Sequence, residues 1–400
     1  MVTQVQESGL SVQEASRRDP LFGKMLDVDG HVYLPVEVFE DLSGDLGGSS
    51  ILDFYKRFYA SEEYDREKAR NRDDVFGVKG MAALGAVEMD DRVEALDLMG
   101  VRAQLAFQQT FGADFRIDSA VAREMNSRAN SYYIDLCKQS KGRVWPVMNI
   151  NTGNPEWALK ELERVLKIGG VGGINLSCAT PPGGTSPAHS QWDPFWARIA
   201  EANVPALIHL GGGGLISAKD PDPMFPERAW GNAESLRGLP AERAGGEEAV
   251  SPYFLLVAHM PAELYLQTMI MGRVFERHPK LMFGILEFGT TWVGPCVERM
   301  DKWADFQVKV VGRKFEMKPS EYMRRNVRVG PFFHEPVGEM IAQYGMEEIY
   351  CYNTDFPHLE GSKDPIGKFR SRLTNMPESY AQKFFIDNCR DLMPYVDQYA

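Results

Sequence analysis

Cysteine is scarce in this chain: five residues, at 137, 178, 296, 351 and 389, among 400. Their odd number, wide spacing and lack of any CxxC pair exclude a disulfide framework and a thiolate metal site, and point to free thiols in a reducing cytoplasm. Long apolar runs are missing too. No stretch reaches the roughly 18 apolar residues of a membrane span. The opening MVTQVQESGLSVQEASRRDP is polar where a secretory leader would be apolar. Positive charge is in deficit, with 44 Lys and Arg against 56 Asp and Glu and a net charge of −12. That balance argues against nucleic acid or an anionic membrane as partner. The glycine run Gly211–Gly214 has neither the Lys-Ser/Thr of a phosphate loop nor the GxGxxG spacing. There is no Gly-x-Ser-x-Gly elbow for a serine hydrolase.

What is present is an alternation. Short β-branched or apolar runs occur at MLDVD (25–29), VRAQLAF (101–107), VWPVMNI (144–150), VGGINL (171–176), VPALIHL (204–210), LMFGILE (281–287), VRVG (327–330) and IYCYNTD (349–355). Between them lie amphipathic stretches such as DDRVEALDLMG, PEWALKELERVLKIG and DPFWARIAEA. Eight strands alternating with helices predict a (β/α)8 TIM barrel, with a doubly wound open sheet as the alternative. The expected organisation is an N-terminal arm over 1–24 and one catalytic domain over 25–400. Insertions at 32–90 and 211–250 follow strands 1 and 5. Both would join the C-terminal face, where Met224, Phe225 and Trp230 are candidate pocket walls. The charged run SEEYDREKARNRDD reads as a solvated helix.

On a barrel, chemistry gathers where strands end. Strand 1 ends with Asp29 and His31, strand 5 with His209 and strand 6 with Glu287. Strand 8 ends with Asp355, followed by His358. Each has an ordinary reading alone: a turn residue, a strand cap, a surface imidazole. Glu287 is the hardest to explain that way, since it closes an apolar strand where an unpaired carboxylate is costly. Six potential ligands at one rim are not an accident of turns. Of the other histidines, His334 after strand 7 is a candidate substrate contact or further ligand. His259 is a candidate donor behind the ligands. His278 is on the wrong face, and His189 has no assignment.

These motifs resemble the metal-dependent amidohydrolase-related TIM-barrel proteins. The resemblance rests on the first-strand pair, the strand-5 histidine, GRVFERHPKLMFGILEFGTTWVGPCVERMDKW, YNTDFPH and the closing FFIDNCRDLM. It spans 25–395. It implies that His31, His209 and Asp355 are ligands and that Asp27 is the non-ligating aspartate before the pair. Hydrolytic and decarboxylating members carry His-x-His on strand 1 and usually histidine on strand 6, whereas this chain has Asp29 and Glu287. The chain looks like a carboxylate-substituted branch similar to the nonheme di-iron monooxygenase of platensimycin/platencin-type diterpenoid biosynthesis. Two Fe(II) ions among the three carboxylates would leave a net charge near +1, and hard oxygen donors suit higher oxidation states of iron.

The expectation is therefore a di-iron monooxygenase with Asp29, His31, His209, Glu287, Asp355 and His358 as ligands. It would use O2 and electrons from a separate reductase or small reductant on an apolar acyl substrate of the CoA-linked kind. The alternative is a hydrolase or decarboxylase with one Zn or Mn and Asp355 as general base. A metal-free binding protein is the reading from another class. The insertions and the resemblance suggest a homodimer.

Overall fold

A computed structural model describes residues 11–43, 49–109, 118–178, 180–210, 230–237 and 252–398. Seven parallel strands run in the order of the sequence: β1 (Met25–Tyr33), β2 (Val101–Gln109), β3 (Val144–Asn149), β4 (Gly173–Leu176), β5 (Ala206–His209), β6 (Phe283–Leu286) and β7 (Val327–Val329). Sequential parallel order with a helix in each connection is the barrel pattern, and the chain adopts it.

The eighth position departs from expectation. Residues 349–356 form no regular ladder but still close the ring. On one side Val329 N donates to Ile349 O at 2.8 Å and Cys351 N to Val329 O at 2.9 Å. On the other, Asp355 N donates to Asp29 O at 2.9 Å and His31 N to Phe356 O at 2.7 Å. The segment leaves extended geometry because Asp355 takes a left-handed backbone, with φ 52°.

The insertion after β1 holds three helices, α1 (Val36–Ser43), α2 (Ser49–Tyr59) and α3 (Glu62–Arg70). No residue of α3 is buried, as its charged sequence predicts. The insertion after β5 lies almost wholly outside the described residues, including Met224 and Phe225. Trp230 is described and is 70% exposed, so it is no pocket wall. The outer layer continues with α4 (Met89–Met99), α5 (Ala120–Tyr133), α6 (Pro155–Ile168), α7 (Asp193–Ala202), α8 (Met260–Met271) and α9 (Val293–Val311). Local chemistry sets the helix ends. Asn154 caps α6 by accepting from Trp157 N, with Pro155 at the first position, and the left-handed Gly100 ends α4. β3 to β7 are buried along their length. All five cysteines are buried free thiols. Among the described residues, no helix is long and apolar enough to cross a membrane.

Glu276, in the short helix Val274–Arg277, ties this layer together. Its buried carboxylate accepts from Arg273 Nη1 at 2.9 Å, Arg313 Nη2 at 3.0 Å, Tyr322 Oη at 3.0 Å and Glu316 N at 3.3 Å. Burial alone would raise its pKa, but these donors hold it below the usual value of 4.5. The unfolded chain therefore binds the proton more readily, so the contribution is present above about pH 4.5 and lost as pH falls through the depressed native value. Glu276→Gln is expected to cost about 3 kcal/mol at pH 7. Its deficit relative to the parent should shrink in acid, and urea denaturation at pH 7 and pH 4 checks both statements.

Candidate metal centre

The centre is built from strand ends whose backbones are bent to present ligands. The register between β1 and β2 shifts between Asp27 and Gly30, an irregularity that re-aims Asp29. Asp27 is the anchor of this bend. Its buried carboxylate accepts from Asp29 N at 3.1 Å, Gln104 Nε2 at 2.6 Å, and Thr354 N and Oγ1 at 3.0 and 2.5 Å. One non-ligating aspartate thus locks the first strand to the residue before Asp355. Burial pushes its pKa up to about 7, against the pull of the Thr354 and Gln104 hydrogen bonds. Gly30 is needed because Gln104 passes over it: a Cβ there would lie 2.2 Å from Gln104 Nε2.

Six donors converge. Asp29 Oδ1 lies 3.1 Å from His209 Nε2 and 3.4 Å from His31 Nε2. Asp355 Oδ1 lies 3.2 Å from His31 Nε2 and 3.0 Å from His358 Nδ1. Glu287 Oε2 lies 3.3 Å from His209 Nε2. They fall into two overlapping groups, Asp29–His31–His209 and His31–Glu287–Asp355–His358, and in each the ligand atoms lie within 4.8 Å of one another. The rings are fixed by packing. His31 stacks on His358 at 3.6 Å, while Phe107 lies 5.8 Å from His31 and 4.4 Å from His209.

The donor chemistry fits a cation. His209 Nδ1 lies 2.6 Å from Leu210 O. Donation there leaves the Nε2 lone pair facing two carboxylates, an arrangement that a positive ion between them stabilises. His31 Nε2 and Asp355 Oδ1 are buried and make their close approaches without hydrogen-bond geometry. Burial would raise all three carboxyls, but His209 and His31 hold Asp29 low, and His358 and His31 hold Asp355 low. Glu287 has no such relief: burial and the charges of Asp355 and Asp29 push it well above the carboxylate range. The protein has gathered more negative charge than its own side chains neutralise.

All six sequence-predicted ligands meet here. The two further candidates do not. His334 is exposed and stacks on Phe332 at 5.5 Å. His259 stacks on Trp292 at 6.2 Å, with Nε2 3.9 Å from Glu263, and burial lowers its pKa. Trp292 Nε1 donates to Gly289 O at 3.0 Å, so any effect of His259 on the centre passes through the loop after β6.

Two supporting residues escaped the sequence reading. Arg92 is fully buried, donates to the His31 carbonyl and lies 4.9 Å from the Phe356 ring. Burial lowers its pKa to about 9, which leaves it charged at neutral pH. The signal was there: Arg92, Ala95, Leu96 and Met99 form the buried stripe of α4 at helical spacing. Glu335 accepts from Thr290 N, Thr291 N and Phe332 N at 2.8 to 2.9 Å. It clamps the loop after β7 to the loop after β6, beside the left-handed pair Glu287 (φ 63°) and Gly289 (φ 63°). Nothing in a lone HEP tripeptide announces that role. A small pocket opens beside Glu287 and Asp355, lined in part by Phe332, Phe333 and Phe369.

A parallel α/β barrel with imidazoles and carboxylates converging at the C-terminal ends of its strands defines a metal-dependent enzyme scaffold. The chain belongs to the amidohydrolase family: residues 28–393 match the Amidohydro_2 model, described as Amidohydrolase. It is 22% identical over 277 residues to a gamma-resorcylate decarboxylase of Polaromonas sp., covering 67% of this chain and 76% of that one. Among solved structures it resembles an amidohydrolase from Mycobacterium avium subsp. paratuberculosis (TM-score 0.59, 24% identity, 76% of this chain and 74% of that one). It also resembles 5-carboxyvanillate decarboxylase from Novosphingobium aromaticivorans, solved with manganese and 4-hydroxy-3-methoxy-5-nitrobenzoic acid (TM-score 0.60, 17% identity, 92% and 96% covered). None of these relatives is described as a monooxygenase, and they favour the decarboxylase or hydrolase alternative over the oxidative expectation.

Proposed function

We propose that the chain is a metal-dependent enzyme of the decarboxylase and hydrolase kind, with decarboxylation of a small organic acid as the favoured reaction. The observation that carries this reading is the Asp29–His31–His209 group, joined through His31 to Asp355 at 3.2 Å, in a member of a family whose relatives here include decarboxylases. Those four would hold one divalent ion, manganese or zinc by donor type. When bound, the ion supplies positive charge that withdraws electrons from the substrate.

The chain's residues do the rest. Phe332, Phe333 and Phe369 hold the apolar body of the acid and exclude water. The carbon–carboxylate bond breaks, CO2 departs, and the electron pair left on carbon takes a proton. Glu287, which lines the pocket, is placed to hold that proton, its carboxyl raised well above the usual range by burial. In a hydrolytic variant, Asp355 takes a proton from water instead. Neither route consumes O2 or an electron donor.

One observation favours the second reading, the di-iron monooxygenase. Two overlapping donor groups with three carboxylates accommodate two cations as well as one. Such an enzyme would place one atom of O2 in a C–H bond of an apolar acyl substrate such as a CoA-linked diterpenoid acid. The other atom becomes water, with two electrons and two protons from a reductase or small reductant.

Metal analysis of the purified protein with gas exchange separates the two. One manganese or zinc per chain with CO2 release and no O2 uptake supports the first. Two irons with reductant-dependent O2 uptake overturns it. Glu287→Gln sharpens the comparison. With one ion held by Asp29, His31, His209 and Asp355, metal content stays at one per chain; with two, one ion is lost.

A further inference from the structure

The pocket beside the centre carries polar groups that the proposed reaction leaves unused. Glu287 and Asp355 belong to the centre; the rest of the lining includes Phe332, Phe333, Phe369, Asn353, Glu360 and Ser362. No lysine, arginine or histidine is part of that lining among the described residues.

Donors are scarce in this wall. Asn353 Nδ2 donates to Pro331 O at 2.9 Å, which leaves its Oδ1 as an acceptor. The hydroxyl of Thr354, also in the lining, donates to Asp27 Oδ2 at 2.5 Å. Ser362 Oγ accepts from Asp364 N at 3.0 Å and keeps one hydroxyl hydrogen. Glu360 is half-buried, and its carboxylate has no hydrogen-bond or ion-pair partner among the described residues. A carboxylate, an amide oxygen and three aromatic rings, with so little to donate, match a cation that donates hydrogen bonds.

The chain's own ammonium groups show what this wall attracts. Lys368 Nζ lies 4.2 Å from the centre of the Phe333 ring, and Lys79 Nζ donates to Ser362 O at 3.2 Å. One has taken an aromatic face and the other a carbonyl oxygen. Neither lysine is in the lining, and neither comes within ion-pair distance of Glu360.

We propose that this wall is a subsite for an organic ammonium group. The Glu360 carboxylate and the rings of Phe332, Phe333 and Phe369 hold it, with Asn353 Oδ1 accepting a hydrogen bond. The inference deepens the decarboxylase reading and rests on it in one respect. The substrate becomes an amino-substituted acid, its carboxyl toward the metal ligands and its ammonium toward Glu360. A neutral group of the same shape gains neither from the carboxylate nor from the ring quadrupoles. It would also desolvate Glu360 without giving it a partner.

Benzylammonium and benzyl alcohol, which share one shape, are the probes. Calorimetric titration of the manganese-loaded full chain at pH 7 reads their binding without turnover. Benzylammonium should bind at least about tenfold more tightly than the alcohol. Glu360→Gln should remove most of that preference while leaving the affinity for benzyl alcohol and the metal content unchanged. Phe333→Leu should weaken benzylammonium more than the alcohol. Equal affinities in the parent, no binding of benzylammonium at millimolar concentration, or a preference untouched by Glu360→Gln would each overturn the subsite. CO2 release is measured separately, so failure of the subsite and failure of the decarboxylase reading are told apart.

Discussion

Asp355→Asn is expected to yield a folded protein that retains little metal and has lost at least about a hundredfold in turnover. The change is close to isosteric. Asparagine also tolerates the left-handed backbone that Asp355 adopts at φ 52°. What disappears is the negative charge 3.2 Å from Nε2 of His31, the residue common to both donor groups, and 3.0 Å from His358 Nδ1. Without it those imidazoles lose the carboxylate that would share a cation with them. Elemental analysis alongside circular dichroism reads the outcome. A variant with full metal content and normal turnover would remove Asp355 from the centre.

Chelation should have the second large effect. Three buried carboxyls within one cluster repel one another when no cation lies among them, and Glu287 bears most of that strain. An ion bound only by the native state at a thousandfold above its dissociation constant contributes about 4 kcal/mol. Stripping with a chelator should therefore lower the melting temperature by several degrees, and readdition of manganese, zinc or iron should restore it. The ion that restores both melting temperature and turnover identifies the working metal. Identical melting curves before and after stripping, with no metal found in either sample, would leave the cluster without a cation.

The legible part of the molecule was its rim. Asp29 and His31 stand two apart on a strand, His209 precedes a glycine run, and Glu287 closes the apolar run LMFGIL, so each carries its signal locally. The structure brings all of them together with Asp355 and His358. Less legible was whatever depends on contacts distant in sequence. Arg92 supports His31 from 61 residues away, and Glu335 reaches 45 residues back to Thr290. Proximity misled in the case of His334. It follows strand 7 at the correct end, yet the Glu335 clamp beside it holds the loop while the imidazole turns to solvent. The last strand changes character part way: IYCY has β propensity while Asn353 and Asp355 do not, and the segment that closes the ring follows a kinked path. The activity was least legible of all, because one donor set serves oxidative and non-oxidative chemistry alike.

The five interior thiols have a practical consequence. Cys296 has its ionisation pushed up to about 12 by burial, and burial also raises Cys389 well above the thiol range, so neither offers a nucleophile to a labelling reagent while the barrel is closed. Because the set is spread from Cys137 to Cys389, modification by a maleimide becomes a clock for opening of successive sectors of the wall, read by mass spectrometry without introducing any foreign probe.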